Sequence, residues 1–217
     1  MTGIPDRRVH SENSPGLASN ALPPFFLEWW FAPWMYAPEQ PPMPHIAGLL
    51  AQRDGYRLWC SRAGLVPELP RVFDSAWHIA ALRHRNELLR CAGLFGGLFA
   101  ARERDQAALQ GLPRDLQRWC MSVALAQPLK AADMNLPAQA GLEGRGLLEL
   151  GRRLEQDFPG LWSRLLLMLP RAQANLLAET LARGRTDVGV DADSGAVDVR
   201  AQRCWRICVD RMRSMDN

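Results

Sequence analysis

Cys204 and Cys208 stand one helical turn apart, a spacing that lets two thiolates share one helix face and supply half of a tetrahedral zinc site. No third and fourth ligand follows in zinc-like spacing, so the two thiols read as packing beside Trp205 and Val209. His78 and His84 are six positions apart, which on a helix points them to different faces, and they read as ordinary polar residues. A thiol enzyme would need Cys60, Cys91 or Cys120 activated by a base or a helix N-terminus. Cys120 lies on the apolar stripe of a helix, the environment of an inert cysteine. Cys60 and Cys91 stay open as nucleophiles, although no recognisable local signature surrounds either.

Asp191-Ala192-Asp193-Ser194-Gly195 has the opening of a calcium loop, but its glycine is misplaced and no glutamate closes it at the required offset. It reads as a turn. Gly93-Leu94-Phe95-Gly96-Gly97 fits neither a dinucleotide fingerprint nor a phosphate loop, since the spacing fails and no Lys-Ser/Thr follows. Helix crossing or helix termination accounts for these glycines better. Arg83, Arg85, Arg90, Arg102 and Arg104 make a modest basic density, yet Glu87, Glu103 and Asp105 are interleaved with them, unlike a face that tracks phosphates. No catalytic constellation emerges from these residue types. The reading is therefore non-enzymatic, with no catalytic residue, cofactor, metal, nucleic acid or small-molecule substrate.

The elements that must position any site begin with an aromatic segment. Seven of the seventeen aromatic residues fall between Phe25 and Tyr36, in the run Phe25-Phe26-Leu27-Glu28-Trp29-Trp30-Phe31-Ala32-Pro33-Trp34-Met35-Tyr36. A buried aromatic side chain hides roughly 150–250 Å², so this segment must dock on its own domain, on a partner or on a membrane surface. Prolines at 23, 24, 33, 38, 41, 42 and 44 fix φ and lack amide donors, so no long helix runs through it. A transmembrane helix is excluded as well, because spanning needs about twenty apolar residues in succession. The segment reads as an extended, proline-stiffened arm.

The chain of 217 residues suits one domain and can bury roughly 70% of its unfolded surface. With 47% hydrophobic and 23% charged residues and a net charge of +3, its composition is that of an ordinary globular protein. Lys130 is the only lysine among 26 basic residues, a ratio better explained by coding bias than by nucleic-acid recognition. Five cysteines without a CxxC pair, and an N-terminus without an apolar signal region, point to a reducing cytoplasm with thiols used as small core residues.

Residues 1–22 are polar and read as a disordered tail, with a single helical domain over 23–217. Ile46, Leu49 and Leu50 make a short amphipathic stripe, and Leu58 and Trp59 follow. Asp74 or Ser75 caps a helix through about Ala92 with Trp77, Ala81, Leu88, Leu89 and Ala92 inward. The glycines at 93, 96 and 97 loosen the chain before a further helical stretch to about Gln110. Behind Pro113, Leu116, Trp119, Cys120 and Val123 repeat at i, i+3, i+4, i+7. Pro128 and Pro137 bracket a loop. A helix from about Gly141 to Asp157 presents Leu147, Leu150, Leu154 and Phe158; the next carries Leu161, Trp162, Leu165, Leu166 and Met168. Another runs from about Ala172 to Arg183, and a last one, about 200–213, has Trp205, Cys208, Val209 and Met212 on one face. Val188-Gly189-Val190 and Ala196-Val197-Asp198-Val199 around a polar turn predict one short β-hairpin. The class is mainly α, a single irregular multi-helix domain.

Phe31-Ala32-Pro33-Trp34-Met35-Tyr36, followed by Glu39-Gln40 and Pro42, resembles the N-terminal element of the K subunits of type III secretion sorting platforms (the SctK or YscK family). Leu88-Leu89-Arg90-Cys91-Ala92-Gly93-Leu94 is similar to that family's leucine-rich middle helix. Gly146-Leu147-Leu148 and the stretch from Pro159 to Pro170 are similar to its late helix pair. The resemblance spans about Phe25 to Ala182. It leaves the hairpin unmatched and lacks the histidine expected after Tyr36.

The resemblance implies an adaptor of the injectisome, cytoplasmic and peripheral to the inner-membrane base of the secretion apparatus, and so supporting protein export. Its partners would be the forkhead-associated-like cytoplasmic domain of the inner-membrane ring protein and the pod protein of the platform. Within this reading, exposed members of Trp29, Trp30, Trp34 and Tyr36 are candidate partner contacts, whereas Phe31 and Pro33 are structural. A helical regulator or chaperone-like module that binds one protein partner is the alternative.

Overall fold

The computed structural model describes residues 21–40, 42–43, 48–131, 140–186 and 194–216. They form a mainly α-helical domain without any strand among the described residues. In order, the helices are α1 (Pro24–Phe31), α2 (Leu49–Arg62), α3 (Arg85–Glu103), α4 (Gln106–Leu109) and α5 (Arg114–Ala126). They continue with α6 (Gly141–Asp157), α7 (Leu161–Leu166), α8 (Arg171–Thr186) and α9 (Ser194–Asp216), with 3-10 turns at Pro33–Met35 and Ser75–Ala80. The tail 1–20, Ile46, the loop 132–139 and the residues 188–193 of the expected hairpin lie outside the described residues.

The bundle is built around α3, which packs on α6, α5 and α9. The glycines that suggest a loosening of the chain do the reverse. α3 runs unbroken through Gly93, Gly96 and Gly97, all buried. A Cβ placed on Gly96 would collide with the carbonyl of Leu142, and one on Gly146 with the carbonyl of Ala92. Two backbones therefore touch where α3 crosses α6. Each glycine costs about 1 kcal/mol of helix propensity relative to alanine, which the close approach offsets by packing. The expected helix from Asp74 to Ala92 is likewise two elements: a 3-10 turn that Asp74 caps by accepting from Ala76 N (2.9 Å), then α3 from Arg85.

Around this crossing the predicted inward residues are in place. Leu147, Leu150, Leu154 and Phe158 from α6 and its end, with Trp205, Cys208, Val209 and Met212 from α9, all belong to one buried cluster. α9 begins at Ser194, so Ala196–Val199 are helical and the second strand of the expected hairpin is not formed. Among the described residues there is no sheet for a strand to join, and Ala196–Val199 instead lie in the first turns of α9.

The aromatic segment is not extended. Pro24 sits in the first turn of α1, where its missing N–H is not needed, and Pro33 keeps Ala32 out of the α region (φ −125°, ψ 54°), ending the helix after two turns. The prolines thus delimit a short helix and a 3-10 turn. This docks Phe26 and Trp30 on Phe158, with ring centroids 5.4 and 5.5 Å away. Among the described residues no helix is long and apolar enough to cross a membrane.

Candidate partner-docking groove

α2 stands apart from the α3–α6 bundle and rests on a small second cluster of Ala37, Trp59, Cys60 and Leu65. Trp59 and Cys60 face that cluster. Leu49, Gln52, Arg53, Tyr56 and Arg57, at i, i+3, i+4, i+7 and i+8, face instead into a groove of about 800 Å³. Its opposite walls are Phe31 and Trp34 from the aromatic segment, and Pro67, Glu68 and Leu69 from the loop after α2. Leu49 is 85% exposed and Leu50 77%, so the amphipathic stripe predicted around them has no covering element among the described residues.

Tyr56 joins the walls. Its ring lies edge-on to Phe31 (5.5 Å) and Trp34 (6.4 Å), and its hydroxyl donates to Pro67 O at 2.6 Å. Burial pushes its pKa well above the ordinary tyrosine value despite the opposing charge of Arg164, so the hydroxyl stays protonated as that donor.

Arg164 of α7 is fully buried directly behind this wall. Its guanidinium stacks 3.6 Å from the centroid of Trp30 and donates to Val66 O (2.9 Å) and Tyr56 Oη (3.1 Å). Longer contacts reach Gly160 O (3.4 Å) and Trp30 O (3.5 Å). No carboxylate pairs with it among the described residues. The planar fork is held by carbonyl dipoles, a phenol and a π face, and its full positive charge stays uncompensated beneath the groove. Arg153, also buried, contrasts with it by pairing with Glu149 inside the core.

The structure divides the candidate contact residues by face. Trp29, Trp30 and Tyr36 are core: Trp29 stacks on Tyr36 at 4.3 Å and its Nε1 donates to Leu82 O at 3.0 Å. Burial takes these three out of the exposed members of the set and leaves Trp34. Trp34 is half-buried, lines the groove and lies edge-on to Trp59 at 5.9 Å. Of the motif residues, Pro33 is buried, whereas Phe31 is 44% exposed and forms a groove wall. Glu39 and Pro42 are exposed; Gln40 closes a turn by donating its N–H to Ala37 O at 3.1 Å. Arg164, Tyr56 and Arg53 escape the sequence reading. One signal for Arg164 was available: Leu161, Arg164, Leu165 and Met168 repeat at i, i+3, i+4, i+7, a core stripe containing an arginine.

The thiols have the character of packing groups. All five are free and buried. Burial pushes Cys91 and Cys120 up to about 12 and Cys204 to about 11, and raises Cys60 and Cys208 too. Cys60, open as a nucleophile on sequence, sits in the second cluster with its thiol held protonated. His78 lies in the 3-10 turn with Nδ1 2.9 Å from Ser75 O, and His84 precedes α3 on the surface. Among the described residues no group of three or more His, Cys, Asp or Glu is placed to hold a metal ion.

A second groove, about 560 Å³, lies where α3, α5, the start of α6 and the end of α9 meet. Leu89, Leu112, Leu142, Met212 and Met215 line it, and it shares no lining residue with the first. The comparisons with known proteins match nothing: no family model, no curated protein and no solved structure is significantly similar to the chain.

Proposed function

We propose that this chain is a non-enzymatic adaptor that holds two protein partners at a fixed geometry. The observation that carries the reading is the presence of two apolar-lined grooves without a common residue, of about 800 and 560 Å³, on one helical domain. A bridging protein needs two such surfaces, and Arg164, buried behind the first groove, ties α2 through Tyr56 to α7 and to Trp30 of the main core. The motif Phe31-Ala32-Pro33-Trp34-Met35-Tyr36 serves both roles, with Pro33 and Tyr36 in the core and Phe31 and Trp34 on a groove wall. The protonated, buried thiols add nothing to a catalytic reading.

The resemblance to sorting-platform K subunits supplies the partners: the forkhead-associated-like cytoplasmic domain of the inner-membrane ring protein, and the pod protein. The chain would then tie the platform to the membrane base of the injectisome and support protein export. Size-exclusion chromatography with light scattering, on the purified chain with each partner and then with both, tests this. A ternary complex is expected. Binding of one partner alone would favour the single-partner regulator or chaperone-like module, and failure to bind either, with a folded helical spectrum, would overturn the adaptor.

A further inference from the structure

The α2 groove joins an apolar surface to an excess of positive charge. Three guanidinium groups bear on it: Arg53 and Arg57 on its α2 wall, and Arg164 buried behind Tyr56. One carboxylate, Glu68, answers them from the rim by pairing with Arg57 at 3.2 Å. That pair is half-exposed on both sides and contributes little. Arg53 has no ion-pair partner among the described residues, and Arg164 has none in the low-dielectric wall, where its field is least screened.

We infer that this groove takes an acidic amphipathic helix of a protein partner, with its apolar face between Phe31, Trp34 and Leu49 and a carboxylate against Arg53. The inference deepens the adaptor reading and rests on it only in making the occupant a protein. Charge complementarity selects the acidic sign. A helix is favoured over an added strand because the described residues offer no sheet edge to extend. The exposed side of α2 instead repeats at i, i+3, i+4, i+7, the ridge spacing that a second helix meets. Nucleic acid fits less well, because the Glu68 carboxylate and the aliphatic Leu49 and Leu69 interrupt any phosphate track.

The test is selection of peptides of about twelve residues, roughly three helical turns, from a random displayed library on the immobilised full chain. It needs neither the ring nor the pod protein, so its outcome is separable from that of the ternary-complex experiment. Enriched peptides are expected to carry Asp or Glu among apolar residues spaced three and four apart. Their affinity should fall about tenfold on Arg53→Glu, equivalent to about 1.4 kcal/mol. Arg206→Glu, at an exposed α9 position outside the groove, should leave it unchanged. Both arginines are exposed, so helical content and melting temperature should match the parent chain. Enrichment of basic or neutral peptides, affinity indifferent to Arg53→Glu, or no enrichment would overturn the inference. So would displacement of the peptides by an equimolar oligothymidylate, or a homodimer that Leu49→Ser dissociates.

Discussion

Replacing Arg164 separates two ways in which a buried cation can hold a fold: through its charge or through the geometry of its fork. Arg164→Met removes the donors to Val66 O and Tyr56 Oη, at 2.9 and 3.1 Å, and the stack on Trp30 at 3.6 Å. Each buried acceptor left without a partner costs about 1–3 kcal/mol, and a desolvated cation–π contact contributes about 2 kcal/mol. Against this loss, removing the guanidinium recovers a desolvation penalty of several kcal/mol, because no carboxylate neutralises it. The net loss expected for Arg164→Met is about 3 kcal/mol. Arg164→Lys retains the buried charge and its desolvation cost, but a lysine ammonium cannot lie flat on Trp30 while reaching three carbonyls and a phenol from one plane. Its expected loss is about 3–4 kcal/mol, no better than methionine.

Urea unfolding of the full chain, followed by tryptophan fluorescence and far-ultraviolet circular dichroism, reads both variants. With m of about 2–3 kcal/mol/M, 3 kcal/mol moves the midpoint by roughly 1–1.5 M. Coincidence of the two probes is needed before either number is taken as a global stability. A lysine variant within 1 kcal/mol of the parent, with methionine far below it, would refute the fork argument and make the charge itself the stabilising element. A methionine variant as stable as the parent would remove Arg164 as the link between α1, α2 and α7.

Gly96→Ala and Gly146→Ala should each lose about 3 kcal/mol in the same assay, because the added Cβ meets a backbone carbonyl across the α3–α6 crossing. An alanine that stabilises either helix, as propensity alone predicts, would show that the backbones are not in contact. The five thiols should resist an aromatic disulfide reagent in the native protein at pH 8 and all react once it is unfolded. Because burial raises the Cys91 and Cys120 thiols from 9.0 to about 12, the unfolded chain ionises first. Stability is therefore complete below pH 9 and falls between pH 9 and pH 12, visible as a declining melting temperature. A flat profile across that window would place these thiols in contact with water.

Periodicity made the helical domain legible. Leu147, Leu150 and Leu154, or Trp205, Cys208, Val209 and Met212, are apolar at helical spacing and can be satisfied only by facing one core. Elements set by tertiary contact were not legible. Nothing in Gly93-Leu94-Phe95-Gly96-Gly97 distinguishes a loosened helix from one pressed against another until Gly146 is placed opposite. Ala196–Val199 alternates like a strand, yet lies in the first turns of α9, where local pattern yields to the long helix that follows.

The aromatic segment shows why the groove itself was hidden. Composition fixes that the rings must be buried somewhere, but the assignment of each ring depends on the phase between α1 and the turn that Pro33 starts. That phase turns Trp29, Trp30 and Tyr36 inward and leaves Phe31 and Trp34 to form a wall. A single residue of slip would rotate the helix by about 100° and bring a different set of side chains inward. In this register the Arg164 guanidinium lies on Trp30 and also reaches Tyr56, so it ties the aromatic segment to α2. The core stripe Leu161, Arg164, Leu165, Met168 thus supplies the residue behind the groove wall, although Arg164 and Tyr56 are 108 residues apart in the chain.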